Sequence, residues 1–199
     1  SGALSFEIIS NNKKLICNSG YFQNYKHQLN NISKTTACHS TLCVGNHSSV
    51  QFVKQFDSLT KIGSLLKIFN KEVISKDNYW SVSASHDGYN KRFGIIHNRK
   101  IDFSHESQKF IGTDTIFKRK KFKSINFEVR FHIAPESKVM KTQDGKSIYI
   151  DLNKEGWKFM CKEYKIDIET GLFFGLKNNF VENQNIVISG IVEKEKQTI

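Results

Sequence analysis

Between Ile125 and Ile133 the chain alternates strictly: Ile125, Phe127, Val129, Phe131 and Ile133 are apolar, and Asn126, Glu128, Arg130 and His132 are polar. Successive side chains of a strand point to opposite faces, so this period of two predicts a strand with one face in a core and one toward water. The pattern ends just before Pro135, the only proline. Ala3 to Ile9 and Leu15 to Cys17 flank the polar turn Asn11-Asn12-Lys13 and read as a hairpin. Ala37 to Val44 also has a β pattern, with Cys38, Ser40, Leu42 and Val44 on one face and His39, Thr41 and Cys43 on the other.

Further β-like runs are Leu65 to Ser75, Tyr79 to Ser85, Phe93 to Ile101, Gln108 to Phe117, Ser147 to Leu152, Gly156 to Cys161, Ile166 to Ile168, Gly171 to Phe174 and Ile186 to Val192. Asp87-Gly88 and Asp144-Gly145 are turn signals, because Asp and Gly accept the positive φ of a tight hairpin at little cost. Asn18 to Thr36 has no periodicity and reads as a long loop, ordered by Tyr21, Phe22, Tyr25 and His27. No segment carries a 3.6-residue apolar stripe of helical length, so no helix beyond about two turns is expected. About a dozen or more strands at intervals of roughly 8 to 12 residues predict an all-β fold, a large antiparallel two-sheet β-sandwich. Without an internal repeat or linker, residues 1–199 read as a single sandwich domain.

Composition agrees with this. Sixteen Phe against two Met and one Pro favours strands, and 38% hydrophobic content fills a core. No apolar run reaches the roughly 18 residues of a membrane span, and no charged region followed by an apolar one opens the chain. It begins in strand-like sequence without an initiator Met, as a piece of a longer protein does. Cys17, Cys38, Cys43 and Cys161 lack the short paired spacing of a zinc or redox motif and are expected to be small buried thiols. The formal charge of +11 predicts attraction to polyanions: nucleic acid, anionic lipid or acidic polysaccharide. Its densest cluster, Lys118 to Lys123, reads as a solvated loop sooner than a binding patch.

Candidate chemistry concentrates between Trp80 and Lys100, where His86, Tyr89, Arg92, His97 and Arg99 gather about the Asp87-Gly88 turn. This is more titratable and hydrogen-bonding chemistry than a turn requires, and sites tend to sit on loops held by rigid scaffolds. The plainer alternative is a hairpin whose His86 and Tyr89 merely flank its turn.

Several stretches together resemble the carboxy-terminal β-sandwich of the heparinase II/III-like family. They are Leu4-Ser5-Phe6, Leu15-Ile16-Cys17-Asn18-Ser19-Gly20, Thr36-Ala37-Cys38-His39-Ser40-Thr41-Leu42, His86-Asp87-Gly88-Tyr89, Arg92-Phe93-Gly94, His97-Asn98-Arg99, Arg130-Phe131-His132-Ile133 and Gly156-Trp157. The resemblance implies lyases that cleave acidic polysaccharides by β-elimination, in a cleft between the sandwich and an amino-terminal α/α-toroid that supplies a principal Tyr. It makes His86, Tyr89 and His39 the candidates for the catalytic face and Arg92, His97 and Arg99 those for substrate binding. The implied partners are an acidic polysaccharide and the toroid of the same chain, the fragment being inactive alone. The implied place is the periplasm or cell envelope, with the cytoplasm open.

Some relatives hold a structural zinc through a His-Ala-Asp motif ahead of Leu-Ser-Phe, an Asp ahead of a Gly, and a later His. Here no His precedes Ser1 and Asn18 stands in place of the Asp, so only His39 matches. One His is short of the three or four ligands zinc needs, so neither metal nor cofactor is expected, and His39 reads as a structural histidine beside the cleft. A noncatalytic glycan-binding or scaffold sandwich is the competing function. Nucleic-acid binding is the less favoured third, resting on charge alone.

Overall fold

The computed structural model describes residues 1–55, 59–62, 66–119, 124–153, 155–177 and 179–199. Its elements are β1 (Ile8–Ser10), β2 (Lys13–Ile16), α1 (Gln28–Ser33), β3 (Leu42–Val44), β4 (Phe52–Gln55), β5 (Leu59–Ile62), β6 (Ile68–Lys76) and β7 (Tyr79–His86). There follow α2 (Asn90–Phe93), β8 (Ile95–Ser104), β9 (Lys109–Lys118), β10 (Ile125–His132), β11 (Lys138–Lys141) and β12 (Ser147–Asp151). The last are β13 (Gly156–Met160), β14 (Lys165–Leu176), β15 (Asn179–Val192) and β16 (Lys196–Thr198). Strand makes up 56% and helix 7%, all strand pairings are antiparallel among the described residues, and the fold class is all-β sandwich.

The chain divides into two compact units, Ser1–Gly63 with Asn126–Gly190 and Ser64–Ile125 with Ile191–Ile199. The first unit holds a four-stranded sheet ordered β14-β15-β10-β3, a three-stranded meander β11-β12-β13, and the pairs β1-β2 and β4-β5. The alternation of β10 is fulfilled: Phe127, Val129, Phe131 and Ile133 are buried, packed with the interior that also contains Leu42, Ile148, Ile166 and Ile186. His132 departs from it, a polar position buried on the other face of the strand.

The segment from Ala37 to Val44 is a strand only over Leu42–Val44; Thr36–Cys38 forms a 3-10 turn. Its hydrogen bonds go to the preceding loop instead of a ladder, Ser40 N–H to Asn18 Oδ1 at 2.9 Å and Ser40 Oγ to the Cys17 carbonyl at 2.6 Å. The long loop is ordered and contains α1, held down by a buried cluster of Phe22, Leu29, Cys38 and Phe174. Gly20, at φ +79°, lies so close to Gly175 that an added Cβ would stand 2.8 Å from its backbone nitrogen. Cys17 and Cys43 are buried free thiols, pushed up by burial to about 12 and about 11.

The second unit is a five-stranded sheet, β16-β9-β8-β7-β6. The tight two-residue hairpin at Asp87-Gly88 is not what forms. Residues 87–94 join β7 to β8 and include the short helix α2, ended by Gly94 in the left-handed conformation at φ 62°. Asp87 is drawn out of a hairpin role by Lys67, whose backbone N–H donates to Asp87 Oδ1 at 2.7 Å and whose carbonyl accepts from Asp87 N–H at 3.2 Å. No helix among the described residues is long and apolar enough to cross a membrane.

Candidate functional site

Register decides which polar side chains of the second unit meet. Pairing of β7 with β8 sets His86 opposite His97, and pairing of β8 with β9 sets Arg99 opposite Asp114. His97 and Arg99 are two positions apart and therefore share a face. The result is a continuous buried chain of contacts. Gly88 N–H lies 3.1 Å from His86 Nδ1, His86 Nε2 3.0 Å from His97 Nδ1, and His97 Nε2 2.5 Å from Asp114 Oδ1. Arg99 closes the chain with a fork, Nε to Oδ1 and Nη2 to Oδ2 of Asp114, both at 2.8 Å.

These contacts fix the tautomers. A backbone N–H only donates, so His86 Nδ1 accepts from Gly88 and its proton sits on Nε2. That proton is donated to His97 Nδ1, leaving His97 protonated at Nε2 to donate to the Asp114 carboxylate. Every ring nitrogen in the chain is occupied. Burial, with His97 and Arg99 beside it, pushes His86 down to about 3, and burial likewise lowers His97 against the pull of Asp114. Burial works against the Asp114 carboxylate, but Arg99 and His97 outweigh it and hold the group well below the usual carboxylate range. The set is thus two neutral imidazoles and one guanidinium–carboxylate ion pair.

His86, Tyr89, His97 and Arg99 are brought together and are all buried, at 1%, 1%, 0% and 4% exposure. The Tyr89 ring packs 5.6 Å from that of His86, and Tyr89 occupies the N-cap position of α2 without a side-chain capping bond. Arg92 alone of this group is exposed, carried on α2. Asp114 was missed by the sequence reading. Its signal was the His105–Gln108 turn, which sets Arg99 against Asp114 once Ser104 is paired with Lys109. Of the basic cluster, Lys118 is half-buried at the end of β9 and Arg119 is exposed, while Lys120 to Lys123 lie outside the described residues.

His39 belongs to the first unit and is half-buried. Its Nδ1 donates to the Thr35 carbonyl at 2.8 Å, burial lowers its pKa, and Nε2 remains the unprotonated acceptor. Nearby His132 donates from Nε2 to the Ala37 carbonyl at 3.0 Å and accepts from Ser19 Oγ at 3.0 Å. Burial pushes His132 down to about 4.

The zinc ligand set that the resemblance implies does not fit these residues. Asn18 uses Oδ1 to accept from Ser40 and Nδ2 to donate to Glu7, and a Cβ on Gly2 would collide with the His39 ring at 2.2 Å. Among the described residues no group of three or more His, Cys, Asp or Glu is placed to hold a metal ion.

The fold is an all-β antiparallel sandwich that carries a buried His–His–Asp–Arg chain. The model of the heparinase II/III-like carboxy-terminal domain matches residues 1–199, and the chain belongs to that family. No curated protein matches the chain. In fold it is similar to the solved heparan sulfate lyase HepC from Pedobacter heparinus, at 16% identity and a TM-score of 0.76 over 98% of this chain and 29% of that one. It is also similar to a solved heparinase III gene product, at 14% identity and a TM-score of 0.72 over 98% of this chain and 28% of that one. The chain therefore spans less than a third of those structures.

Proposed function

We propose that the chain is the carboxy-terminal domain of a polysaccharide lyase that cleaves an acidic, uronic-acid-containing polysaccharide by β-elimination, together with an α/α-toroid in the same polypeptide. The observation that carries this reading is the family match along the whole of residues 1–199. The net charge of +11 supports a polyanionic substrate.

In such a reaction a cation neutralises the uronate carboxylate, a base removes the C5 proton, and an acid protonates the departing O4 as the C4–O bond breaks and the C4–C5 double bond forms. In this reading Arg92, exposed on α2, meets the carboxylate. His86, Tyr89, His97 and Arg99, with Asp114, hold the segment that presents it, so they are positioning residues. The toroid supplies the proton-transfer groups. The isolated domain is accordingly inactive, and the parent enzyme works in the periplasm or cell envelope.

A second reading, a noncatalytic glycan-binding or scaffold domain, draws on the occupied nitrogens of His86 and His97, which leave neither ring free to move a substrate proton. Incubating the full-length protein with heparan sulfate, a polyuronate and a neutral glycan separates the two. Lyase action on the acidic glycans alone creates unsaturated uronate ends, read by their ultraviolet absorbance; binding without such ends favours the second reading.

A further inference from the structure

The outward face of the β11-β12-β13 meander is unlike the rest of the first unit. Register aligns Met140, Tyr149 and Lys158 in one row across the three strands, with Met160 two positions beyond Lys158 on the same face. Both methionines of the chain are here, exposed by 71% and 52%, and Tyr149 is exposed by 47%. The opposite face is anchored, with Ile148 and Ile150 buried and Phe159 against Phe131 at 5.0 Å between ring centroids. The exposed row is therefore presented on a fixed sheet.

Beside it lies a shallow depression of about 550 Å³ bordered by Lys141, Thr142, Gln143, Asp144, Tyr149 and Lys158. Lys141 is committed to Asp167 at 2.7 Å. Lys158 makes no ion pair among the described residues; its ammonium stands over the Tyr149 ring, 5.8 Å from its centre, and its charge also reaches the Asp144 carboxylate. An exposed aromatic ring with an ammonium over it, and several hydrogen-bonding groups around an open depression, suit a pyranose that carries an anion. Its carboxylate or sulfate meets the ammonium that stands over the ring, its apolar C–H groups lie along the Met140 and Tyr149 side chains, and Gln143 serves its hydroxyls.

We propose that this face is a second, noncatalytic binding subsite for an acidic oligosaccharide. The inference rests on the acidic-polysaccharide reading above and gives it a binding surface of its own. It explains why an apolar and aromatic row is left uncovered with a lysine over its ring.

The test is titration of the full chain with a heparan-sulfate tetrasaccharide, an oligouronate of equal length and a neutral oligosaccharide, read by backbone amide shifts and calorimetry. Shifts are expected between Lys138 and Met160 with either acidic ligand and not with the neutral one. Tyr149→Ala and Lys158→Glu should each weaken binding at least about tenfold, Lys158→Arg should retain it, and all three should keep the melting temperature. Binding unchanged in Tyr149→Ala and Lys158→Glu, or equal binding of the neutral ligand, overturns the proposal. So does tighter binding of a single-stranded oligonucleotide that displaces both acidic ligands from this face. Because the readout is binding, a protein that shows these shifts without any turnover contradicts the lyase reading and leaves the subsite standing. Turnover without these shifts does the reverse.

Discussion

Arg99 and Asp114 face each other across β8 and β9 as a two-bond fork, 2.8 Å on each arm, with both side chains almost fully buried. A buried ion pair gains little over a well-packed apolar pair, because desolvation offsets the attraction, but removing one partner strands the other charge in a low-dielectric interior. Asp114→Asn should therefore cost about 3–5 kcal/mol of stability in urea unfolding of the chain. Loss below about 1 kcal/mol would show that Arg99 finds water or another partner.

His86 sits one link further along, between Gly88 N–H and His97 Nδ1. Its replacement by Ala leaves a buried donor and a buried acceptor unmet, an expected loss of on the order of 1–3 kcal/mol. In the full-length enzyme, activity of His86→Ala should fall only as far as folding does. A full melting temperature with at least about tenfold lower kcat/KM would make His86 a group that acts on substrate.

Arg92 is the contrasting case, exposed on α2 with no buried partner among the described residues. Arg92→Ala should change stability by no more than about 0.5 kcal/mol. In the full-length enzyme it should weaken substrate affinity or turnover at least about tenfold, roughly 1.4 kcal/mol. Unchanged kinetics on acidic glycans removes Arg92 from substrate contact.

The fold was legible where a local period carries it. Ile125 to Ile133 states its own strand and buried face, and the runs around Tyr79 and Ile186 do the same. Less legible was anything decided by a distant backbone. Asp87-Gly88 has the chemistry of a tight turn, yet Lys67 captures Asp87 and the chain runs into α2; nothing near Asp87 announces Lys67. His39 and Ser40 have the alternation of a strand, yet they bond to the Asn18 to Thr36 loop. The residue types from His86 to Arg99 marked a stretch whose polar side chains do meet, but sequence alone assigns no burial, and polar residues inside a sheet look the same on paper as polar residues on its surface.

The histidines make stability depend on pH. His86 at about 3 and His132 at about 4 both lie below the ordinary 6.5, so between those values the unfolded chain binds more protons than the folded one. Stability is then greatest above the ordinary histidine value and falls as pH drops through this window. Asp114, whose folded carboxyl is depressed, adds a further loss at the acid end. Denaturant unfolding should give lower stability at about pH 4.5 than at about pH 7, and His86→Gln should flatten that slope. Equal stability at the two pH values would mean that these rings titrate freely in the fold.

We propose that this domain serves an acidic-polysaccharide lyase and needs a toroid in the same polypeptide. The most direct measurement compares the full-length polypeptide with the 199-residue chain on the same heparan sulfate and polyuronate preparations. Formation of unsaturated uronate ends is followed in both. The account predicts these ends with the full-length polypeptide and none with the domain alone. Saturated, hydrolytic ends or no cleavage by the full-length polypeptide, or turnover by the isolated domain, would contradict it.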